Sequence, residues 1–360
     1  MEDDIYCRLR DILDSMPHGF PSTGDGLEIR ILKKIFTPEE AAVATMMKMK
    51  FETPEEIALR TGRNAEYLRS ILKVMGNKGQ IFGVTLNGMP QYKLPPFVFG
   101  IYEWQINRLD RELAEMVEEY FHRDFGREFY GNTPPLLRVV PVEASIPAGS
   151  VVMLHESIQK LVRGSSSWAV GECICKKEKR LLGGGCDNPI EVCLAIAPVE
   201  GLFDDFFWGR PIGMDEALEI LRHSEEAGLV HMTSNTREGH IFICNCCGCC
   251  CGILRGINEL GHMGCVARSD YEAVVDPALC TACGTCLERC QVRAVEIDST
   301  ARVNTRCIGC GLCAGTCPSS AIRMVRRDEE MIERVPRNEK EWMRRRASSR
   351  GRFEYRDLLK

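Results

Sequence analysis

Cysteine makes up 20 of the 360 residues, and eight of these stand in two runs of identical spacing. Cys280, Cys283, Cys286 and Cys290 read C-x2-C-x2-C-x3-C, and Cys307, Cys310, Cys313 and Cys317 repeat it, followed by Pro318. Each cysteine recurs at an offset of 27 residues, as do Ala294/Ala321 and Val295/Ile322, so the segment is an internal duplication. A loop with a thiolate at every third residue wraps three corners of a cubane, and the fourth ligand must come from elsewhere. Gly284, Gly309 and Gly311 allow the backbone close to such an inorganic core and leave amides free for its sulfurs. Structural zinc, the competing chemistry, takes two C-x2-C pairs and leaves four of the eight thiols unexplained.

This arrangement resembles the bacterial-type ferredoxins that hold two 4Fe–4S clusters, over roughly Tyr271 to Val325. The resemblance implies a pseudo-twofold βαβ repeat in which each half lends one ligand to the other. On that basis Cys280, Cys283, Cys286 and Cys317 hold one cluster, and Cys307, Cys310, Cys313 and Cys290 hold the second. One departure is visible: Gln291 stands where the pattern has proline. Proline is not a ligand, so the expected effect falls on the turn or the potential and leaves the cluster in place.

Twelve cysteines lie outside this segment. Cys7 stands alone and reads as an inert thiol. Cys173, Cys175, Cys186 and Cys193, threaded with Gly183-Gly184-Gly185, fit one four-thiolate site. A third iron–sulfur cluster is the first reading for them, with zinc as rival because four thiolates also satisfy a tetrahedral ion. Lys176, Lys177, Lys179 and Arg180 between these ligands could offset cluster charge or bind an anionic partner. Cys244, Cys246, Cys247, Cys249, Cys250 and Cys251 crowd eight residues, with Cys265 following. Neighbouring thiols on one short loop cannot all reach one ion, and six or seven exceed the need of one cubane. Three alternatives stay open: spare thiols, a cluster plus a redox-active pair, or ligands shared with the first group. A low-complexity accident is the bland alternative.

Composition narrows the setting. The apolar fraction is 44%, the charged fraction 27% and the net charge −5, which is ordinary for a globular chain and gives no bulk attraction to nucleic acid or anionic lipid. Met1-Glu2-Asp3-Asp4 lacks the basic and apolar regions of a signal peptide, and no apolar run is long enough for a bilayer span. The expectation is a cytoplasmic protein without membrane insertion, whose thiols meet metal in place of disulfides.

The elements that must position these thiols read as an α+β multidomain chain. Residues 1–29 form an N-terminal arm, a short helix and a loop from Pro17 to Gly26. Thr37-Pro38-Glu39-Glu40 and Thr53-Pro54-Glu55-Glu56 are capping boxes that start two helices. Leu68, Ile71, Leu72 and Met75 make the apolar stripe of a third, from about Asn64 to Met75. Extended runs Ile81–Thr85 and Met89–Leu94 are joined through Asn87-Gly88, a strong hairpin signal. Helices followed by a hairpin resemble a winged helix over residues 30–96, a pattern likeness without a diagnostic motif. Arg60, Arg63, Arg69 and Lys73 could face DNA there, although interleaved acids favour a solvated or protein-docking face. Residues 97–128 read as a helical connector, with one long helix from Phe99 to Phe125 that could serve a homodimer. Residues 129–268 form a cysteine-rich mixed α/β middle domain with helices near 154–162 and 214–227. The ferredoxin-like domain spans 269–326, and 327–360 is a charged, solvated helical tail.

The layout also resembles multi-cluster ferredoxin-type proteins of anaerobes with a winged-helix-like start. No G-x-G-x-x-G after a strand, P-loop or C-x-x-C-H is present, so flavin, nicotinamide and haem have no motif. The expectation is therefore an electron-transfer protein that serves a redox partner protein, an accessory of an oxidoreductase system more than a self-contained enzyme. Two alternatives remain: a reductase with an unusual substrate-reducing cluster at Cys244–Cys251, and a redox-sensing winged-helix regulator of transcription.

Overall fold

The computed structural model describes residues 2–86, 88–146, 153, 155, 157–204 and 208–360. The amino-terminal part holds α1 (Glu2–Ser15), α2 (Leu27–Ile35), α3 (Pro38–Ala44), α4 (Pro54–Thr61) and α5 (Ala65–Asn77), then a hairpin of β1 (Phe82–Leu86) and β2 (Met89–Lys93). The caps are local and act as their residue types dictate. Thr37 and Thr53 accept the amides of Glu40 and Glu56, whose carboxylates return a bond to the threonine amides. Asn64 caps α5 by accepting from the Tyr67 amide, and Leu68, Leu72 and Met75 are buried. The hairpin pairs Leu86 with Met89; Asn87, half of the expected turn dipeptide, lies outside the described residues.

The long helix expected from Phe99 to Phe125 is not formed. Phe99 sits at φ 56 and Gly100 departs from helical geometry, which stops any helix in that turn. After one 3-10 turn at Glu103–Gln105, the next α-helix begins where the Asp110 carboxylate takes the Leu113 amide, giving α6 (Arg111–His122). Arg123, at φ −106 and ψ −114, separates it from α7 (Asp124–Gly131). Periodicity in that stretch came from two short helices in succession, with Leu113, Val117 and Tyr120 buried on one and Phe125 and Phe129 on the other.

The middle of the chain is a sheet with helices on both faces. Its elements are β3 (Leu137–Val140), α8 (Ile158–Arg163), β4 (Ser167–Glu172), α9 (Ile174–Leu181), β5 (Glu191–Ala197), β6 (Arg210–Ile212), α10 (Met214–Glu226), β7 (Val230–Ser234), β8 (Phe242–Cys246), α11 (Gly252–Asn258) and β9 (Val266–Ala267). Residues 154 and 156 of the expected 154–162 helix lie outside the described residues. The seven strands run in the order β6-β4-β5-β8-β7-β3-β9, antiparallel except for the β3–β9 pair. Strand alternation decides what each face carries. Leu194, Ile196 and Ile243 pack with Ile158, Leu161, Ala217 and Leu221 beneath α8 and α10. Cys193, Cys244 and Cys246, on the alternate positions, therefore project from the opposite face.

The carboxy-terminal part contains β10 (Tyr271–Val275), α12 (Thr285–Arg289), β11 (Val295–Ile297), β12 (Ala301–Val303), α13 (Leu312–Gly315) and β13 (Ile322–Arg326), with β10 antiparallel to β13 and β11 antiparallel to β12. The final helix, α14 (Glu339–Arg350), corrects the expectation of a solvated tail. Its Trp342, Met343, Arg346 and Ala347 are buried. The Trp342 indole donates to the Pro135 carbonyl at 2.9 Å. Arg346 donates to the carbonyls of Pro17, Phe129, Asn132 and Pro134, and Arg350 pairs with Asp14 at 2.8 Å. Charge count misled because buried arginines can serve as multidentate donors to carbonyls left unpaired at loop ends. Among the described residues no helix is long and apolar enough to cross a membrane.

Candidate metal centres

The two repeats of the carboxy-terminal part form two small thiol-lined cavities. Cys280, Cys283 and Cys286 line the first, and the fourth thiol comes from Cys317 across the duplication. Cys290, from the end of the first repeat, joins Cys307, Cys310 and Cys313 on the second. Apolar side chains complete both walls, with Ile297 and Ile322 on one and Val292, Val295 and Ile308 on the other. Gly284 and Gly311, at φ 86 and 79, start the short helices that follow the ligand loops. The Ala294 amide donates to the Cys290 sulfur at 3.1 Å and the Ala301 amide to the Cys280 sulfur at 3.3 Å, as bound thiolates require. Burial pushes Cys313 up to about 12, so its thiolate forms only against a compensating cationic centre.

The middle cysteines divide in a way the spacing did not reveal. Cys173, Cys175, Cys251, Cys246, Cys244 and Cys193 form a closed circuit in which each thiol faces the next and Cys193 returns to Cys173. Cys173 and Cys175 come from the start of α9, Cys193 from β5, Cys244 and Cys246 from one face of β8, and Cys251 from the N-cap of α11. Asn245, between the two β8 thiols, points the other way, bonded to His231 and the Val192 carbonyl. Cys173 is drawn well down by hydrogen bonds from Cys175 and Cys193, which are themselves driven up by facing it. Six neighbouring thiols, three buried and three half-buried, cannot all ionise without metal charge among them.

The second set is Cys186, Cys247, Cys249 and Cys250, whose sulfurs all lie within 4.8 Å of one another. Adjacent cysteines thus turn alternately to two sites: Cys246 and Cys251 to the ring, Cys247 and Cys250 to the tetrad. Cys186 leaves the group of four expected from spacing and is shared with the downstream tract. Cys265 joins neither set; it is buried, donates to the His262 carbonyl at 2.8 Å, and burial pushes it up to about 12. Cys7, half-buried on α1, is a free thiol.

Several supporting residues had no sequence signature. Glu103, pushed up to about 7 by burial, lies in the field of Cys173, and Tyr102, hydrogen-bonded to Glu178, in that of Cys175. Both belong to the segment read as a connector helix. Lys176 is buried, donates to the Pro189 carbonyl at 2.6 Å and lowers Cys173 and Cys247 by its charge. Lys179 is engaged by Glu118, and Lys177 by Glu172 at 3.2 Å. Gln291, the departure from the proline pattern, proves to be a joint. Its side-chain oxygen accepts the Gly248 amide at 2.8 Å and its carbonyl accepts Asn258 Nδ2 at 2.9 Å. Arg306 adds donors to the Ile257 carbonyl and Asn258, and Arg289 to the carbonyls of Glu225 and Glu226. The second ferredoxin cavity, which includes Cys290, is therefore fastened directly to the cysteine-rich loop.

Comparison with known proteins agrees with this geometry at the carboxy terminus. The family described as 4Fe-4S binding domain matches residues 273–296 and 302–323. An uncharacterized ferredoxin of Methanocaldococcus jannaschii is 37% identical over 87 residues, covering 23% of this chain and 51% of that protein. The chain thus spans about half the length of the curated relative it matches. No solved structure matches. The carboxy-terminal part carries 4Fe–4S ferredoxin domains, which imply 4Fe–4S clusters.

Proposed function

We propose that the chain is an iron–sulfur electron-transfer protein that exchanges single electrons with a partner oxidoreductase. The observation that carries this reading is the pair of four-thiol cavities, each completed by a cysteine from the other repeat. Cys280, Cys283, Cys286 and Cys317 would hold one 4Fe–4S cluster, and Cys290, Cys307, Cys310 and Cys313 the other. When bound, such clusters supply one-electron chemistry at potentials set by burial, charge and hydrogen bonds to sulfur. The protein's part is to bury the thiols among apolar side chains, to donate amides to them, and to hold the cavities at fixed positions. The ring of six thiols is the natural seat of a further cluster, and the Gln291–Gly248 joint keeps it in register with the ferredoxin domain. Free thiols in these numbers suit a reducing, cytoplasmic setting.

One observation favours a second reading, a reductase whose middle cluster acts on a substrate: six ligands exceed the four that a cubane uses. The regulator reading draws less support. Arg60 is bound by Glu52 at 2.6 Å and Arg69 by Glu55 at 2.6 Å, so two of the four candidate DNA-facing cations are occupied. The test is a reductive titration of anaerobically purified full chain with dithionite, reoxidised by a one-electron viologen. Reversible bleaching is expected, and Cys313→Ser should lower the capacity by about one electron, that of one 4Fe–4S cluster. A chain that takes up no electrons reversibly refutes the proposal.

A further inference from the structure

The tetrad Cys186, Cys247, Cys249 and Cys250 differs in kind from the other thiol sites. Its Cys186–Cys247 and Cys186–Cys250 sulfur separations are both 3.7 Å, and Cys249–Cys250 is 3.8 Å. A metal–sulfur bond of about 2.3 Å in a tetrahedron places ligand sulfurs about 3.8 Å apart. The match is one of size as well as number. These separations also exceed by far the roughly 2.05 Å of a disulfide. The ferredoxin cavities provide an internal contrast. Among the described residues no three of their thiols come within 4.8 Å of one another, whereas all four of the tetrad do. Neither do any three thiols of the six-membered ring. Sites that must enclose several irons hold their sulfurs apart, and this one does not.

The surroundings are built to hold four thiolates around one ion. Cys247, Cys249 and Cys250 come from one tight turn, closed by the Cys251 amide on the Cys247 carbonyl at 3.2 Å. Gly248 is the residue that lets this turn lie against the ferredoxin domain, because a Cβ there would stand 2.0 Å from the Gln291 carbonyl oxygen. Cys186 comes from the loop between α9 and β5. Asn188 Nδ2 donates to its sulfur at 3.3 Å, and Arg180 donates to the carbonyls of Cys186 and Asn188 at 3.5 and 3.3 Å. The buried ammonium of Lys176 offsets part of the negative charge that four thiolates leave on a divalent ion. Cys249 is exposed while Cys247 and Cys250 are buried, so an ion can reach the ligands from solvent after the loops have closed.

We propose that Cys186, Cys247, Cys249 and Cys250 bind a single tetrahedral thiophilic ion, zinc or iron, at a mononuclear site separate from the iron–sulfur clusters. Binding exchanges the thiol protons for the metal, four protons released to solvent for one divalent ion taken up. The site stands independently of the electron-transfer reading, because its occupancy is counted in metal without sulfide. Its role is to lock the α9–β5 loop to the tract that abuts Gln291.

The test is metal and acid-labile sulfide analysis of the full chain, purified anaerobically, beside Cys186→Ala and Cys249→Ala. Each variant should lose about one zinc or one iron per chain, the stoichiometry of a tetrathiolate site, with sulfide unchanged; which metal falls identifies the native ion. Loss of iron with an equal loss of sulfide would make these thiols cluster ligands and overturn the proposal, as would no loss of metal. Should a variant not fold, cobalt(II) exchanged into the folded, cluster-loaded wild-type chain is the second measurement, read as a difference spectrum. The visible bands of tetrahedral cobalt thiolate, quenched by added zinc without displacement of sulfide, are expected. Their absence overturns the assignment.

Discussion

Replacing Gly248 by alanine tests the joint between the cysteine tract and the ferredoxin domain. The added Cβ would stand 2.0 Å from the Gln291 carbonyl oxygen, 2.8 Å from Asn258 Nδ2 and 3.0 Å from the Gln291 carbonyl carbon. Two of these are backbone atoms, so no rotamer change relieves the clash. Overpacking of this kind costs about 1–3 kcal/mol. Parting the segments also strains the Gly248 amide bond to Gln291 and the Asn258 bonds to Gln291 and Gly248. Each is worth about 0.5–1.5 kcal/mol. A local loss on the order of 2–5 kcal/mol follows. At about 1.4 kcal/mol per tenfold, native-state hydrogen exchange across 247–258 and 289–294 should quicken by roughly one and a half to three and a half orders of magnitude. Gly131→Ala is the control, since nothing lies within 4 Å of a Cβ there. Exchange in Gly248→Ala no faster than in that control would refute the close approach and the joint with it.

Three further outcomes follow. Arg346→Met leaves the carbonyls of Pro17, Phe129, Asn132 and Pro134 without their shared donor; a loss on the order of 3 kcal/mol is expected, read as a lower denaturant midpoint at unchanged slope. Burial, with the charges of Arg346, Arg350 and Lys93, lowers His18 from 6.5 to about 3. The unfolded chain therefore takes up the proton first: this contribution is complete above pH 6.5 and declines as pH falls toward 3, by a ceiling of about 5 kcal/mol. His18→Phe should flatten that slope in urea melts between pH 7 and 5. Cys317→Ser and Cys290→Ser should each perturb the cluster of the other repeat's loop, so that EPR of Cys317→Ser retains the signal that Cys313→Ser removes.

What could be read from sequence was what is encoded locally. The capping boxes at Thr37 and Thr53 close within three residues, and the ferredoxin ligands recur at a fixed offset, so both needed no knowledge of distant contacts. The sorting of the middle cysteines did. Spacing joined Cys186 to Cys173, Cys175 and Cys193, but the strand order brings β8 beside β5, and strand alternation then sends Cys244 and Cys246 to the ring. The three-to-one sharing of the tetrad depends on that same pairing. Gln291 looked like a lapse in a motif because its partners, Gly248 and Asn258, lie 43 and 33 residues away. The tail misled for a related reason: Arg346 and Arg350 read as solvated charge until the carbonyls of residues more than 200 positions earlier came into view.

The most direct measurement of the central claim is iron and acid-labile sulfide per chain, with EPR of the reduced protein, on anaerobically purified material. The duplicated thiols predict at least about eight irons with matching sulfide, from two cubanes of four, and more if the six-thiol ring is filled, with the spectrum of reduced, interacting 4Fe–4S clusters. Protein that carries zinc throughout, with no acid-labile sulfide and no such spectrum, would contradict the account.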